Sequence, residues 1–85
     1  MPKAKVTKVI DGDTIKIPRR TLRLANVDAP ELGSRGGTKA KNQLKDMIQG
    51  KTISYEPVAK SYGRIVAQVK IRGKSVNQAM RNKLR

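Results

Sequence analysis

The chain has no histidine, no cysteine, no phenylalanine and no tryptophan, and only six acidic residues stand against twenty Lys and Arg. Each absence removes a class of chemistry. Without Cys or His there is no disulfide, no thiol nucleophile, no imidazole base and no zinc site of the usual Cys/His kind. No apolar run approaches the roughly 20 residues a membrane span needs, and no signal-peptide core follows Met1. The expectation is therefore a protein with no membrane partner and a cytoplasmic location, a mature secreted domain reading the same way. Aromatic stacking platforms are scarce as well, since Tyr55 and Tyr62 are the only aromatic residues.

What is present is charge and periodicity. A formal charge of +14 on 85 residues asks for a polyanionic partner, and nucleic acid is the commonest one. With 36% apolar residues in periodic blocks, the chain reads as folded rather than disordered, and its length suits one small domain.

Val6 to Ile10 reads as a β-strand, followed by the hairpin signal Asp11-Gly12. Thr14 to Ile17 alternates with Ile15 and Ile17 inward, and Pro18 ends that run. A third strand is expected over Leu22 to Val27, with Leu22 and Leu24 on one face and Arg23, Ala25 and Val27 on the other. After Pro30 and a glycine-rich basic loop, Thr38 is placed to cap a helix bearing Ala40, Leu44, Met47 and Ile48, and Gly50 to end it. Thr52 to Val58 and Arg64 to Ile71 are the fourth and fifth strands, separated by a loop over Ala59 to Gly63. Ser75 with Gln78 forms a capping-box pattern ahead of a short helix with Val76, Ala79, Met80 and Leu84. The order β-β-β-α-β-β-α fits a mainly β fold with helices: a small five-stranded Greek-key barrel of OB-fold type.

Four of the six acids fall in two short segments. Asp11 and Asp13 lie on the first turn, and Asp28 and Glu31 follow the third strand. In a meander those two places sit at the same end of the sheet, so the carboxylates converge. Converging carboxylates repel unless a cation lies between them. A hard divalent ion does this with Asp, Glu and carbonyl oxygens as ligands, and a structural ion-pair cluster with Arg or Lys does it equally well. Asp11, preceding Gly12, reads as turn chemistry. Arg23 lies five residues before Asp28, and Arg64 begins the strand after Tyr62-Gly63. A planar guanidinium near a metal site is what phosphodiester chemistry uses to hold phosphate and stabilise its growing charge.

VTKVIDGDTIKI, TLRLANVDAPE and YGRIVAQVKIRGKSVNQAM, in that order from about Val6 to Met80, resemble the staphylococcal nuclease (thermonuclease) family. The resemblance implies an OB-type barrel and calcium-dependent hydrolysis of DNA and RNA at the 5′ oxygen with little sequence preference. By the same resemblance Asp13 and Asp28 are calcium ligands, and the Ala29 backbone carbonyl completes the protein ligands. Glu31 activates or positions the attacking water. Arg23 and Arg64 bind phosphate and stabilise the transition state, and Tyr62 lines the nucleotide pocket or packs. Ala29 stands where well-known members have Thr, and Ser61 where a Lys is common. Relative to the family the chain stops early, at Arg85, so a single C-terminally short domain over residues 1–85 is expected. A non-catalytic OB-fold nucleic-acid binder with a relic site is the alternative, and monomer or dimer is left open.

Overall fold

A computed structural model of the chain describes residues 2–30 and 33–84. The Glu31 assignment lies outside the described residues. Strands β1 (Lys3–Lys5), β2 (Lys8–Asp11), β3 (Thr14–Ile17) and β4 (Arg20–Leu24) precede helix α1 (Gly37–Ile48). Strands β5 (Thr52–Ser61), β6 (Arg64–Ile71) and β7 (Lys74–Ser75) and helix α2 (Val76–Lys83) follow.

The strands form one mixed sheet in the order β1-β5-β6-β4-β3-β2, with the short β7 added to β6. The expected first strand, Val6 to Ile10, is shifted to Lys8–Asp11, and an unexpected short strand, β1, precedes it across Val6–Thr7. There the Val6 N–H reaches Lys51 O at 2.9 Å and the Thr7 N–H reaches Lys16 O at 2.9 Å. One continuous segment thus pairs with β5 at its start and with β3 at its end, and the sheet curls on itself in the OB manner. Antiparallel pairing holds everywhere except between β4 and β6, which run parallel in the register Leu22↔Ile65, Arg23↔Val66, Leu24↔Ala67.

Inward alternation fills the interior with Val9, Ile15, Ile17, Leu22, Leu24, Ile53, Ala67 and Val69. Helix α1 lays Ala40, Leu44 and Ile48 against this core, with Met47 half-buried beside them. Helix α2 adds Val76 and Met80. The expected stop at Gly50 is present, with left-handed φ of 77°. So is the Ser75 cap, whose Oγ accepts from the Gln78 N–H at 3.1 Å.

Four local expectations change. Helix α1 starts one residue before Thr38, behind Gly36, and no side chain caps it. Strand β5 runs on to Ser61, because β6 continues to pair with it up to Ser61↔Arg64, past a bulge between Pro57 and Ala59. Strand β4 ends at Leu24, not Val27. Asn26 takes a left-handed φ of 58°, which ends the extended backbone, and Ala25 and Val27 on either side of it are both buried. Finally, the turn joining β2 to β3 centres on Gly12–Asp13, and Gly12 keeps an ordinary φ. It is glycine for room: a Cβ there would lie 2.7 Å from Ala40 Cβ and 2.8 Å from Ala29 Cβ.

Candidate active site

The early end of β4 creates the site. Once β4 turns away after Leu24, β6 would be left with unpaired backbone groups. The side chain of Asn77, fully buried on α2, takes the place of the missing strand. Its Oδ1 accepts the Val69 N–H at 2.8 Å, and its Nδ2 donates to Ala25 O at 2.9 Å and Ala67 O at 3.1 Å. Arg81 Nη1 also donates to Ala25 O, at 3.4 Å. The segment after β4 is thereby anchored from behind by α2, and it delivers Val27, Asp28 and Ala29 to the end of the sheet.

Asp13 arrives from the other side. Its backbone carbonyl accepts the Leu24 N–H at 2.8 Å, extending the β3–β4 ladder by one step. Its Oδ1 accepts from Thr14 Oγ1 at 2.9 Å, and its Oδ2 accepts the Ala29 N–H at 3.4 Å.

Arg23 lies between the two acids. Its Nη2 meets Asp13 Oδ2 at 3.5 Å, Asp28 Oδ1 at 3.2 Å and Val27 O at 3.2 Å, and its Nη1 meets Leu24 O at 3.3 Å. The same guanidinium therefore pins the backbone of residues 24–27 and bridges two carboxylates. The two ion pairs differ in setting. The side chain of Asp13 is 15% exposed and that of Arg23 29%, whereas the carboxylate of Asp28 is fully in solvent. An exposed pair is weakly coupled and readily exchanged for another partner. Asp28 can turn to an incoming ion or substrate at little cost, while Asp13 is fixed by three donors.

Of the two acid pairs expected to converge, Asp13 and Asp28 share Arg23, with the Ala29 N–H on Asp13; Asp11 is not in this contact set, and Glu31 lies outside the described residues. Among the described residues, two carboxylates share Arg23 there, and no group of three or more His, Cys, Asp or Glu placed to hold a metal forms at this site or any other.

Arg64 is not in that contact set. It opens β6, exposed, on the same sheet face as Arg23 and two residues before Arg23's register partner Val66. Strand spacing and rise put the two arginine Cα atoms about 8 Å apart on neighbouring strands, close enough to grip one anionic group together. Tyr62 forms the β5–β6 turn with Gly63, both at positive φ (50° and 75°), as a two-residue primed hairpin requires. Its side chain is 96% exposed, which removes packing as its role. Three contributors escaped the sequence reading: Thr14, Asn77 and Arg81. The Val-Asn pair at the start of α2 was in view, but nothing in a polar residue on a short helix announces that it completes a β-ladder.

A family model described as staphylococcal nuclease homologue matches residues 21–83, a stretch that includes Arg23, Asp28, Ala29 and Arg64. The chain belongs to the staphylococcal nuclease family. Among curated relatives it is 38% identical over 82 residues to an uncharacterized endonuclease of Escherichia coli, covering 89% of this chain and 54% of that protein. It is 35% identical over 72 residues to a micrococcal nuclease of Shigella flexneri, covering 79% of this chain and 41% of that protein. An uncharacterized endonuclease of Haemophilus influenzae matches at 32% over 82 residues, with 89% and 46% covered. The chain spans about half the length of these curated relatives. Within this staphylococcal nuclease domain, the Asp13–Arg23–Asp28 cluster occupies the end of the sheet where β3 begins and β4 ends.

Proposed function

We propose that the chain carries the catalytic site of a calcium-dependent nuclease that hydrolyses DNA and RNA phosphodiesters at the 5′ oxygen with little sequence preference. One observation carries the reading: in a chain of charge +14, two of only six acids are held on one guanidinium at a sheet end. The donor set suits a hard cation, since Asp13 and Asp28 offer carboxylate oxygens, and the Ala29 N–H on Asp13 keeps that stretch of backbone beside them. Asp13, Asp28 and the Ala29 carbonyl would hold calcium, which when bound polarises the phosphodiester and neutralises its charge. Arg23 and Arg64 grip the non-bridging phosphate oxygens and meet the charge that grows on them in the transition state. Glu31 receives or orients the proton of the attacking water, a task that falls to a carboxylate in a chain without histidine. Tyr62, exposed on its turn, offers a face to a base or sugar. Weak sequence preference accords with a surface that binds phosphates rather than base edges.

The test is cleavage of plasmid, single-stranded DNA and RNA with calcium and with chelator, for the wild type and for R64A and E31Q. Calcium-dependent cleavage that both substitutions abolish, with circular dichroism unchanged, is expected. Absence of cleavage in calcium at high protein concentration refutes the proposal. Salt-dependent DNA binding indifferent to calcium and to E31Q would identify a non-catalytic binder instead.

A further inference from the structure

Along the strands from the Arg23–Arg64 pair, towards the β3–β4 turn, lies a second feature. A cavity of about 490 Å³ opens between the β3–β4 and β5–β6 turns, lined by Lys16, Arg19, Arg20, Thr21, Lys60, Gly63 and Ile65. Four of its seven lining residues are cationic and none is acidic. Among the described residues, both ion pairs belong to Arg23, so no carboxylate neutralises this group. Four cations around one cavity repel each other, and an entering polyanion relieves that repulsion.

The position is informative. Lys16 and Thr21 are register partners, one side-chain step along the same face from the Thr14–Arg23 pair, about 7 Å away at the rise of a strand. Gly63 and Ile65 flank Arg64 in sequence. Lys16 and Thr21 share the face of Arg23 and Arg64, whereas Arg20, Lys60 and Ile65 have the parity of the core residue Leu22, so the cavity wraps around the end of the sheet beyond the candidate phosphate clamp, on the side away from Asp13 and Asp28. Arg19 takes a left-handed φ of 68° as the second residue of the two-residue turn that joins β3 to β4 after Pro18.

We infer that this cavity is a phosphate subsite for the polynucleotide strand adjoining the scissile bond. It receives a neighbouring phosphodiester on Lys16, Arg20 and Lys60, while Ile65 offers an apolar contact to the attached sugar. The inference rests on the nuclease reading for the identity of the substrate, but binding can be read without catalysis.

The experiment measures fluorescence anisotropy of a labelled single-stranded oligonucleotide, about ten nucleotides long, in chelator over a range of salt, so that no cleavage occurs. Wild type is compared with R20Q/K60Q and with K70Q/K74Q, which removes the same charge at the far end of β6. For R20Q/K60Q the slope of log affinity against log salt should fall by about 0.7, the value for one lost single-strand phosphate contact. K70Q/K74Q should stay near wild type. In calcium, hydrolysis of a nitrophenyl ester of a single nucleotide, too short to reach the cavity, should be unchanged in R20Q/K60Q.

An unchanged slope in R20Q/K60Q, or an equal fall in both variants, overturns the subsite and leaves the nuclease assignment standing. Displacement by inorganic polyphosphate as effective as by unlabelled oligonucleotide would overturn the assignment to a polynucleotide. A chain that never cleaves yet shows the selective slope change retains the subsite and loses only the catalytic reading.

Discussion

Replacing Asn77 by alanine tests the account of how the site is built. The side chain makes three buried hydrogen bonds, to the Val69 N–H and to the carbonyls of Ala25 and Ala67. The three partners are not equally exposed to its loss. Ala67 O keeps the Ala25 N–H at 2.9 Å, and Ala25 O keeps Arg81 at 3.4 Å, but the Val69 N–H loses the acceptor it has in Asn77. Two net bonds to the carbonyls at about 1 kcal/mol each, with the stranded Val69 donor at about 1–3 kcal/mol, put the loss at roughly 3–5 kcal/mol. A chain of this size has a total stability of roughly 4–13 kcal/mol, so the variant sits near the edge of folding. Urea unfolding followed by far-UV circular dichroism is the assay, because two tyrosines and no tryptophan give a poor fluorescence signal. The midpoint should fall with little change in m value, which marks lost stability rather than a changed denatured state. N77D is the sharper companion. It keeps an acceptor for Val69 but offers no amide donor, and it sets a carboxylate against two carbonyl oxygens, so it should be at least as damaging as N77A. A loss below about 1 kcal/mol for N77A, or an N77D more stable than N77A, would refute the claim that this amide substitutes for a strand.

Two further expectations follow from the packing and the charge. G12A forces a methyl group against Ala40 Cβ, Ala29 Cβ and the Ala40 backbone, so it should cost about 1–3 kcal/mol and lower cleavage at the same time by moving the turn that carries Asp13; unchanged stability would show that the approach of α1 is not tight. Raising salt from about 0.01 M to about 1 M shortens the screening length from about 30 Å to about 3 Å and should raise the melting temperature by several degrees in a chain of charge +14. A constant or falling melting temperature would mean that self-repulsion does not limit stability.

The parts of the fold that could be read from the sequence are those where one periodicity decides the structure. Ala67 and Val69 alternate inward along β6, with Ile65 half-buried against the core at its mouth, and Ala40, Leu44 and Ile48 recur at helical spacing, because burial of a single face fixes both patterns. Strand β1 has no such pattern: Lys3-Ala4-Lys5 is a strand because the start of β5 offers it an edge. The end of β4 was hidden for a related reason. Ala25 and Val27 look like a continuing strand, and a left-handed Asn26 is a backbone event that residue alternation does not report. In the site, the acids at 13 and 28 and the arginine at 23 were visible as an anomaly of charge in so basic a chain. The role of Gly12 was misread as turn geometry, since the helix that crowds it comes from 28 residues later in the chain, at Ala40. Asn77 went unseen because its function is tertiary: it pairs with backbone donated by β6 and by the segment after β4.

The single parallel pairing, β4 with β6, has a consequence for when the site comes into being. Half the chain separates Leu22 from Ile65, so this seam cannot close by local zippering and must await the synthesis and folding of α1 and β5. Such distant contacts cost loop entropy before they return any stability, which slows folding toward the millisecond-to-second range typical of β-rich topologies. Arg23 and Arg64 face each other only across that seam, and Asn77, which completes it, arrives later still. During synthesis on the ribosome, the basic residues are exposed to nucleic acid well before the arginine pair exists. The nascent chain can therefore hold a polyanion through charge alone, and the two arginines come together only as the last strands and α2 lock in place.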